Sequence, residues 1–380
     1  MISVITIFTV VVNLTIFQSY LGRKVSEIVT NQIKTPIKVE RVRLGHFLRI
    51  EMKNVRALDE YYDTLLKADK ITFTLSEIDR DSKIIRFSDL NAQDLHFHLI
   101  KHKGDSVLNI DYITERLKDT TSKDSWGFQF NELALSNSRF RLDDRNKARE
   151  YEKMDFSHLD VQGLDTRIRN LSVINDTISA WVQSLDASEQ SGFVLNNLET
   201  HLSISPTGWE WDFVDIETPY SELSLDFVFD YYDYKDLSDF VNSVYMSAAL
   251  HDCSVSMADM KYFIPPLEGI NNTLKISGDI QGRIDDISSE NMVINYGRGT
   301  RFLGDFAAEG LPDVGNTFFD AQIRDFTTNS ADIQSVQLGE NDTLILPDPL
   351  NKLERLTLKG AFLGELLDFS SNAQLKSNLG

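Results

Sequence analysis

Ser221-Glu-Leu-Ser-Leu-Asp-Phe-Val-Phe-Asp230 decides the fold. Leu223, Leu225, Phe227 and Phe229 leave one side of an extended chain; Glu222, Ser224, Asp226 and Asp230 leave the other. Strict alternation marks a half-buried strand, because successive side chains point to opposite faces. The pattern recurs upstream at Ile71/Phe73/Leu75, Leu95/Phe97/Leu99, Trp126/Phe128/Phe130, Ile178/Ala180/Val182 and Trp209/Trp211/Phe213. Downstream it returns at Met246/Ala248/Leu250, Cys253/Val255/Met257 and Met292/Ile294/Tyr296. Turn clusters such as Ser205-Pro206-Thr207-Gly208 and Tyr296-Gly297-Arg298-Gly299 separate the runs. Repetition on this scale predicts about twenty strands, mostly antiparallel, each with a wet and a dry face.

Helical patterns are few: Ser26–Ile33, Asp111–Lys118, Asp236–Tyr245 and Ala258–Phe263. Such short helices cannot cover the dry face of so many strands. That face either closes on itself as a sandwich or barrel, or stays open as a groove. An open apolar strip larger than a few hundred Å² marks a binding surface.

The chain has 38 Lys+Arg against 58 Asp+Glu, a net charge of −20 that argues against a nucleic-acid binder. A single cysteine, Cys253, excludes an intramolecular disulfide framework and any Cys-clustered metal site. The charge is uneven. Arg23, Lys24, Lys34, Lys38, Arg41, Arg43, Arg49, Lys53 and Arg56 face only Glu27, Glu40 and Glu51 in the first 56 residues. This basic collar, Arg23, Lys24, Lys34 and Lys38 foremost, follows an apolar run from Ile2 to Leu21 that carries no charge. About twenty residues at 1.5 Å each reach across a bilayer core, and a basic collar suits an anionic membrane surface. The run lacks a basic n-region and a small-x-small cleavage site, so it reads as an uncleaved anchor over residues 1–22. Positive-inside counting alone would put Arg23 and Lys24 in the cytoplasm.

Beyond the anchor, the sequence suggests a region 23–250 and a repeat region 251–380. Lys275-Ile-Ser-Gly-Asp-Ile-Gln-Gly282 reappears in form as Thr357-Leu-Lys-Gly-Ala-Phe-Leu-Gly364, and Asp286-Ile-Ser-Ser289 then aligns with Asp368-Phe-Ser-Ser371. A repeated module favours a sheet that grows by addition. The second copy stops in mid-pattern, so the sequence reads as a piece of a longer protein.

Two chemical readings compete. Gly104-Asp105-Ser106, Asp155-Phe-Ser-His158 and Gly339-Glu-Asn-Asp342 are the fragments of a GDS-type esterase, yet their order is wrong and the helices of that α/β fold are missing. Gly104-Asp105 reads instead as a hairpin turn between Leu95–Leu99 and Val107–Ile110. His96, His98 and His102, with Asp105 nearby, have a spacing zinc can use. Leu95, Phe97 and Leu99 already claim the dry face, however, so the histidines read as its wet complement.

Several motifs in order carry a resemblance. After the anchor come Thr-Pro-Ile-Lys-Val-Glu-Arg-Val-Arg-Leu-Gly (35–45), the run Asp63–Leu75, Gly104–Ile110, Gly278–Gly282 and Gly310-Leu-Pro-Asp313. Together they resemble the TamB family, within the wider AsmA-like group. The resemblance implies an inner-membrane-anchored protein whose body lies in the periplasm, a β-sheet curled like a taco around an apolar groove. It implies phospholipid acyl chains as cargo and no cofactor, metal or catalysis. It also implies support of outer-membrane protein assembly with a BamA-like partner, although the region that would engage one is not in this sequence.

The groove candidates are then Leu223, Leu225, Phe227, Phe229, Trp209, Trp211, Phe213, Ile71, Phe73, Leu75, Phe128 and Phe130. Burying ~16 methylenes is worth on the order of 13 kcal/mol at ~0.8 each, so a dry strip lowers the barrier to moving a lipid without any chemistry. The alternative is a β-solenoid that binds polysaccharide or protein by its polar face.

Overall fold

The computed structural model describes residues 18–20, 22–24, 26–27, 30, 36–112, 126–151, 153–233, 236–264, 267–311, 313–339, 342–343, 346–347, 350–365 and 367–379. The chain is all-β, as the alternation predicts, and divides into two units, Met1–Asn196 and Asn197–Gly380.

The first unit holds β1 (Ile37–Leu44), β2 (Arg49–Leu58), β3 (Thr64–Asp79), β4 (Ile84–Gln93), β5 (His96–Lys101), β6 (Gly127–Asp144), β7 (Asp160–Ile174), β8 (Thr177–Glu189) and β9 (Val194–Leu195). Neighbours are antiparallel except that β6 runs parallel to both β4 and β5. Those two are halves of one broken strand, since β3 pairs with each on the other side. The break falls at Asp94, whose φ is +50°. The hairpin expected between Leu95–Leu99 and Val107–Ile110 does not form, because residues 109–112 are helical. Asn109 satisfies β5 with its side chain instead: its Oδ1 accepts from the Ile100 N–H at 3.0 Å.

The outer edge of β1 is covered. Ser26 Oγ accepts from the Val39 N–H at 2.7 Å and donates to the Gly22 carbonyl, while Thr30 Oγ1 accepts from the Ile37 N–H at 2.9 Å. A Cβ on Gly22 would sit 2.7 Å from the Val39 carbonyl, so a glycine is needed where this segment crosses the strand. Hydroxyls thus occupy N–H groups that would otherwise form an open edge.

The second unit is a meander of β10 (Asn197–Ser205), β11 (Gly208–Glu217), β12 (Glu222–Asp230), β13 (Tyr245–Ser256), β14 (Thr273–Arg283), β15 (Asp286–Tyr296), β16 (Thr300–Glu309) and β17 (Phe318–Thr328). A separate pair, β18 (Gln337–Gly339) and β19 (Asp342–Thr343), is bypassed as β17 joins β20 (Leu356–Gly364), followed by β21 (Phe369–Ser377). One-turn helices α1 (Phe240–Ser243), α2 (Met257–Met260) and α3 (Ser330–Gln334) lie between strands.

The predicted repeat is real in three dimensions. After α2 comes β14 with Gly278 and Gly282; after α3 comes β20 with Gly360 and Gly364. A Cβ on Gly282 would lie 2.2 Å from the Asp286 carbonyl oxygen, and one on Gly364 2.5 Å from that of Asp368; both have positive φ. Both helices also share a sequence, Ser-Met-Ala-Asp259 and Asn-Ser-Ala-Asp332, in which the first residue is the N-cap.

Bulges run through the meander. Register shifts occur in each pairing from β10–β11 to β17–β20. Three of them carry the same marker, a positive-φ residue followed at once by a buried one: Phe213 then Val214, Asp252 then Cys253, Asn291 then Met292. The first unit repeats this with Asn54 then Val55 and Asn137 then Ser138. A carboxylate on the neighbouring strand holds several of these turns. Asp226 Oδ1 accepts from the Phe213 N–H (2.6 Å), Asp305 Oδ1 from the Asn291 N–H (2.7 Å), and Asp165 Oδ1 from the Asn137 N–H (2.9 Å). Bulges bend strands and raise their twist.

Candidate functional site

Across the second unit the pairing register builds continuous apolar rows on one face. Trp209, Phe229 and Met246 form one; Trp211, Phe227, Ala248 and Ile280 the next. A third runs Val214, Leu225 and Leu250; Ile216 faces Leu223, and beyond the β12–β13 bulge a fourth row runs Cys253, Ile276, Ile294, Phe302, Phe326, Leu358 and Leu375. Trp211 stacks on Phe227 at 5.2 Å; Phe227 and Phe229 lie 5.0 Å apart; Trp209 meets Phe229 at 5.9 Å. Leu223, Leu225, Phe227, Phe229, Trp209 and Trp211 therefore come together as expected.

Phe213 does not. Its left-handed conformation inserts an extra residue, so Val214 pairs with Leu225 where strict alternation would have put Phe213. Phe213 is 72% exposed and Val214 0%. The reading failed because alternation carries through a strand only until a bulge reverses it.

In the first unit Ile71, Phe73 and Leu75 on β3 face Ala92, Leu90 and Phe87 on β4, and Phe87 faces Phe130 on β6. The rings pack at 5.7 Å (Phe73–Phe87) and 4.8 Å (Phe87–Phe130). Phe128 pairs with Ile85 and Val173 in the next row. Phe87, which joins the two candidate sets, was not singled out by the sequence.

These faces are thinly covered. Among the described residues no Phe or Trp is buried, and the buried apolar side chains are mostly small: Val39, Val42, Val55, Ala68, Ala92, Val214, Cys253 and Ala308 among them. Along β12, Leu223, Leu225, Phe227 and Phe229 are all half-buried. In a sealed core, large aromatics are the side chains with most to gain from full burial. Here Val214, Cys253 and Met292 are buried directly after the positive-φ residue of a bulge, and large rings flank Val214.

The basic collar is placed in part. Arg23, Lys24 and Lys38 are exposed, and Lys24 pairs with Glu27 at 2.8 Å. Lys34 and residues 1–17 of the expected anchor lie outside the described residues; no helix among those described is long and apolar enough to cross a membrane.

Asp59, Asp63 and His102 bring three ligand-type groups together. The Asp59 carboxylate already accepts from His102 Nε2 (2.9 Å), Asn109 Nδ2 (3.0 Å) and the N–H groups of Tyr61 and Asp63. Burial works against its charge, but these donors outweigh burial and hold the carboxyl below its ordinary range. Arg145 Nη1 sits 2.9 Å from Asp63 and 3.2 Å from His102 Nδ1, taking the place a cation would need. The cluster is a loop hub. His96 is exposed and His98 half-buried on β5; burial first, then Arg141, pushes the His98 pKa down.

His158 is equally committed. Its Nδ1 meets Asp155 at 2.7 Å and its Nε2 the Asp144 carbonyl at 3.0 Å, which leaves no ring nitrogen to activate a serine. The hubs the sequence reading missed are Asp259 and Asp332. Asp259 accepts from the Thr218 and Ser221 hydroxyls (2.7 and 2.6 Å) and ties down the β11–β12 turn. Asp332 accepts from the N–H groups of Arg298 and Gly299 and the Thr300 hydroxyl, and so holds the β15–β16 turn.

The chain matches no family model, no curated protein and no solved structure.

Proposed function

We propose that this chain is a lipid conduit: a membrane-anchored β-groove protein whose apolar face carries phospholipid acyl chains toward the outer membrane. One observation carries the reading. Rows of Trp, Phe, Leu and Ile cross strand after strand of the second unit, and their large side chains stay half-exposed beside a run of bulges. Bulges in successive strands favour a curled sheet over a flat one. A curled sheet with an apolar inner face suits a flexible hydrocarbon, because apolar burial has no directional requirement. Acyl chains are the occupant that also suits the uncharged run Ile2–Leu21 and its basic collar, which would keep the body beside a lipid source. The proposed topology puts that body in the periplasm of a cell with an inner and an outer membrane. No catalytic step is needed.

The test uses Trp209 and Trp211 as reporters. Phospholipid brominated along its acyl chains, added to the full chain, should quench the fluorescence lost in the Trp209→Phe/Trp211→Phe variant and leave that of Trp181, which alternates with the apolar Ala180 and Val182, largely intact. Quenching of Trp181 as strong as that of Trp209 and Trp211, or no quenching, would refute acyl binding on this face. Binding of polysaccharide with no quenching would favour the polar face instead.

A further inference from the structure

We propose that the tip of the β1–β2 hairpin, Phe47 and Leu48 between Arg43 and Arg49, seats in the surface of an anionic phospholipid bilayer. Phe47 is 92% exposed and Leu48 64%, with Leu44 exposed at the foot of the tip. Below them the hairpin closes regularly: Leu44 pairs with Ile50, and the Gly45 N–H donates to the Arg49 carbonyl at 2.7 Å. Phe47 and Leu48 then both take the left-handed region, with φ of +57° and +56°. Gly, Asn or Asp is the usual choice there, because a large side chain at positive φ is strained. A turn that only reversed the chain in water would be less strained with Asn-Gly. Here the strain leaves a Phe and a Leu standing in solvent, and strain of this kind collects at functional positions.

Charge selects the occupant. Arg43 and Arg49 are exposed, and among the described residues neither has a carboxylate partner. Between Arg41 and Lys53 the only acid is Glu51, which Lys53 and Lys70 approach at 3.9 and 3.6 Å. Anionic headgroups attract such free arginines, while the apolar side chains enter the boundary between headgroups and acyl chains. The turn at the other end of β2 is opposite in charge. Tyr62 there is 73% exposed with φ +65°, but Asp59, Glu60 and Asp63 surround it in sequence.

Position agrees with charge. Thr30 meets Ile37, Ser26 meets Val39, and Gly22 lies against the Val39 and Glu40 carbonyls. The segment thus runs against β1, and its N-terminal direction, from which the uncharged run Ile2–Leu21 arrives, leads toward the hairpin tip. This placement rests on reading that run as the anchor of the proposed conduit. At the same end of the sheet β3 runs on past Thr74, the partner of Arg49, to a tip of Arg80, Asp81, Ser82 and Lys83. That charged tip suits water, so the bilayer meets the sheet obliquely at the β1 corner, not across its strand ends.

The test uses the full chain in phosphatidylcholine vesicles with or without phosphatidylglycerol, carrying an environment-sensitive fluorophore on Gly45→Cys. A Cβ at Gly45 meets only Arg49, at 3.5 Å, and the native Cys253 is buried. With phosphatidylglycerol present, the emission should shift to the blue and be quenched by lipid bearing a nitroxide near its headgroup. Labels on Tyr62→Cys and Ser82→Cys should stay aqueous. Phe47→Asn/Leu48→Asn suits the left-handed backbone, so it should return the Gly45→Cys label to water without lowering the melting temperature. Arg43→Gln/Arg49→Gln should lower the ratio of seated to aqueous label by about tenfold or more. An aqueous label at 45, an equal shift at 62 or 82, or a shift indifferent to phosphatidylglycerol would overturn the proposal. A label on Val10→Cys tells the two readings apart. Val10→Cys in the bilayer with position 45 aqueous would refute the seat and keep the anchor; position 45 seated with Val10→Cys aqueous would support the seat and refute the anchor.

Discussion

Replacing Phe227 by aspartate separates an open apolar face from a sealed core. Phe227 is half-buried, stacked on Trp211 at 5.2 Å and against Phe229 at 5.0 Å. A fully buried Phe→Ala change costs about 3–5 kcal/mol, and aromatic pairs about 0.5–1.5 kcal/mol each. Half burial with two ring contacts therefore gives about 2 kcal/mol for Phe227→Ala. On an open face the Phe227→Asp carboxylate reaches water, and the cost should exceed that of alanine by no more than about 1 kcal/mol. In a closed core an unpaired charge costs several kcal/mol more. Val214 supplies the control: it is 0% exposed beside the bulge, so Val214→Asp should unfold the second unit. Urea denaturation followed by tryptophan fluorescence gives the stabilities, and mass spectrometry of the purified chain gives the lipid load. Phe227→Asp should fold and lose lipid. A loss of stability equal to that of Val214→Asp would refute the open face. A folded Phe227→Asp with its full lipid load would refute the conduit.

Phe213→Asn should be neutral or stabilising by roughly 0.5 kcal/mol, because Asn tolerates a left-handed backbone better than Phe; a loss above about 1 kcal/mol in urea denaturation would contradict the bulge. Gly282→Ala should cost about 2 kcal/mol or more, since its Cβ would meet the Asp286 carbonyl in a positive-φ backbone; an unchanged melting curve would show that the strands do not approach so closely. Burial opposes the charge of Asp332, but the Arg298 and Gly299 N–H groups and Thr300 outweigh it, so its carboxyl is held below the ordinary range. A depressed carboxyl stabilises the fold above its unfolded pKa, and that contribution disappears as pH falls through the lower folded value. Asp332→Asn should therefore destabilise at neutral pH by about 2–3 kcal/mol and flatten the acid limb of a stability–pH curve; a parallel limb would assign the acid loss to other groups.

Alternation made the strands legible, and Gly278–Gly282 against Gly360–Gly364 made the repeat legible. What alternation could not carry was the phase of each strand beyond its bulge. Phe213 was misplaced for that reason alone, and Val214 took the buried position expected for it. A signal was present: Asn54, Asn137, Asp252 and Asn291 stand inside strands, where Asn and Asp are rare except to adopt positive φ. The hub aspartates had one too. Ser-Met-Ala-Asp259 and Asn-Ser-Ala-Asp332 both read as an N-cap followed by an acid three residues on, the opening of a helix; the first lies at the helix expected over Ala258–Phe263, whereas the single turn Ser330–Gln334 leaves no 3.6-residue periodicity to find. The β5–β6 crossover was beyond reach, because a parallel pairing leaves no local mark on either strand.

The hubs explain how a sheet can leave its large rings half-exposed and still fold. An edge strand needs its N–H groups satisfied, and Ser26 and Thr30 do this for β1 without a further layer. A hairpin turn needs its geometry fixed, and Asp259 and Asp332 reach across from the following helix to do so. Each of these aspartate bonds involves a charged partner, the kind worth about 1.5–3 kcal/mol when intact. The determinants of register thus lie at turns and bulges, where backbone and carboxylate geometry rather than the large rings fix the pairing. On the proposed reading, the rows of half-exposed rings would be the part of the sheet that exchanges contacts with a ligand. It follows that a variant which empties the apolar face and one which loosens a hub should fail differently, Phe227→Asp by losing lipid with its ladder intact, Asp332→Asn by losing stability with its lipid affinity intact below the unfolding transition.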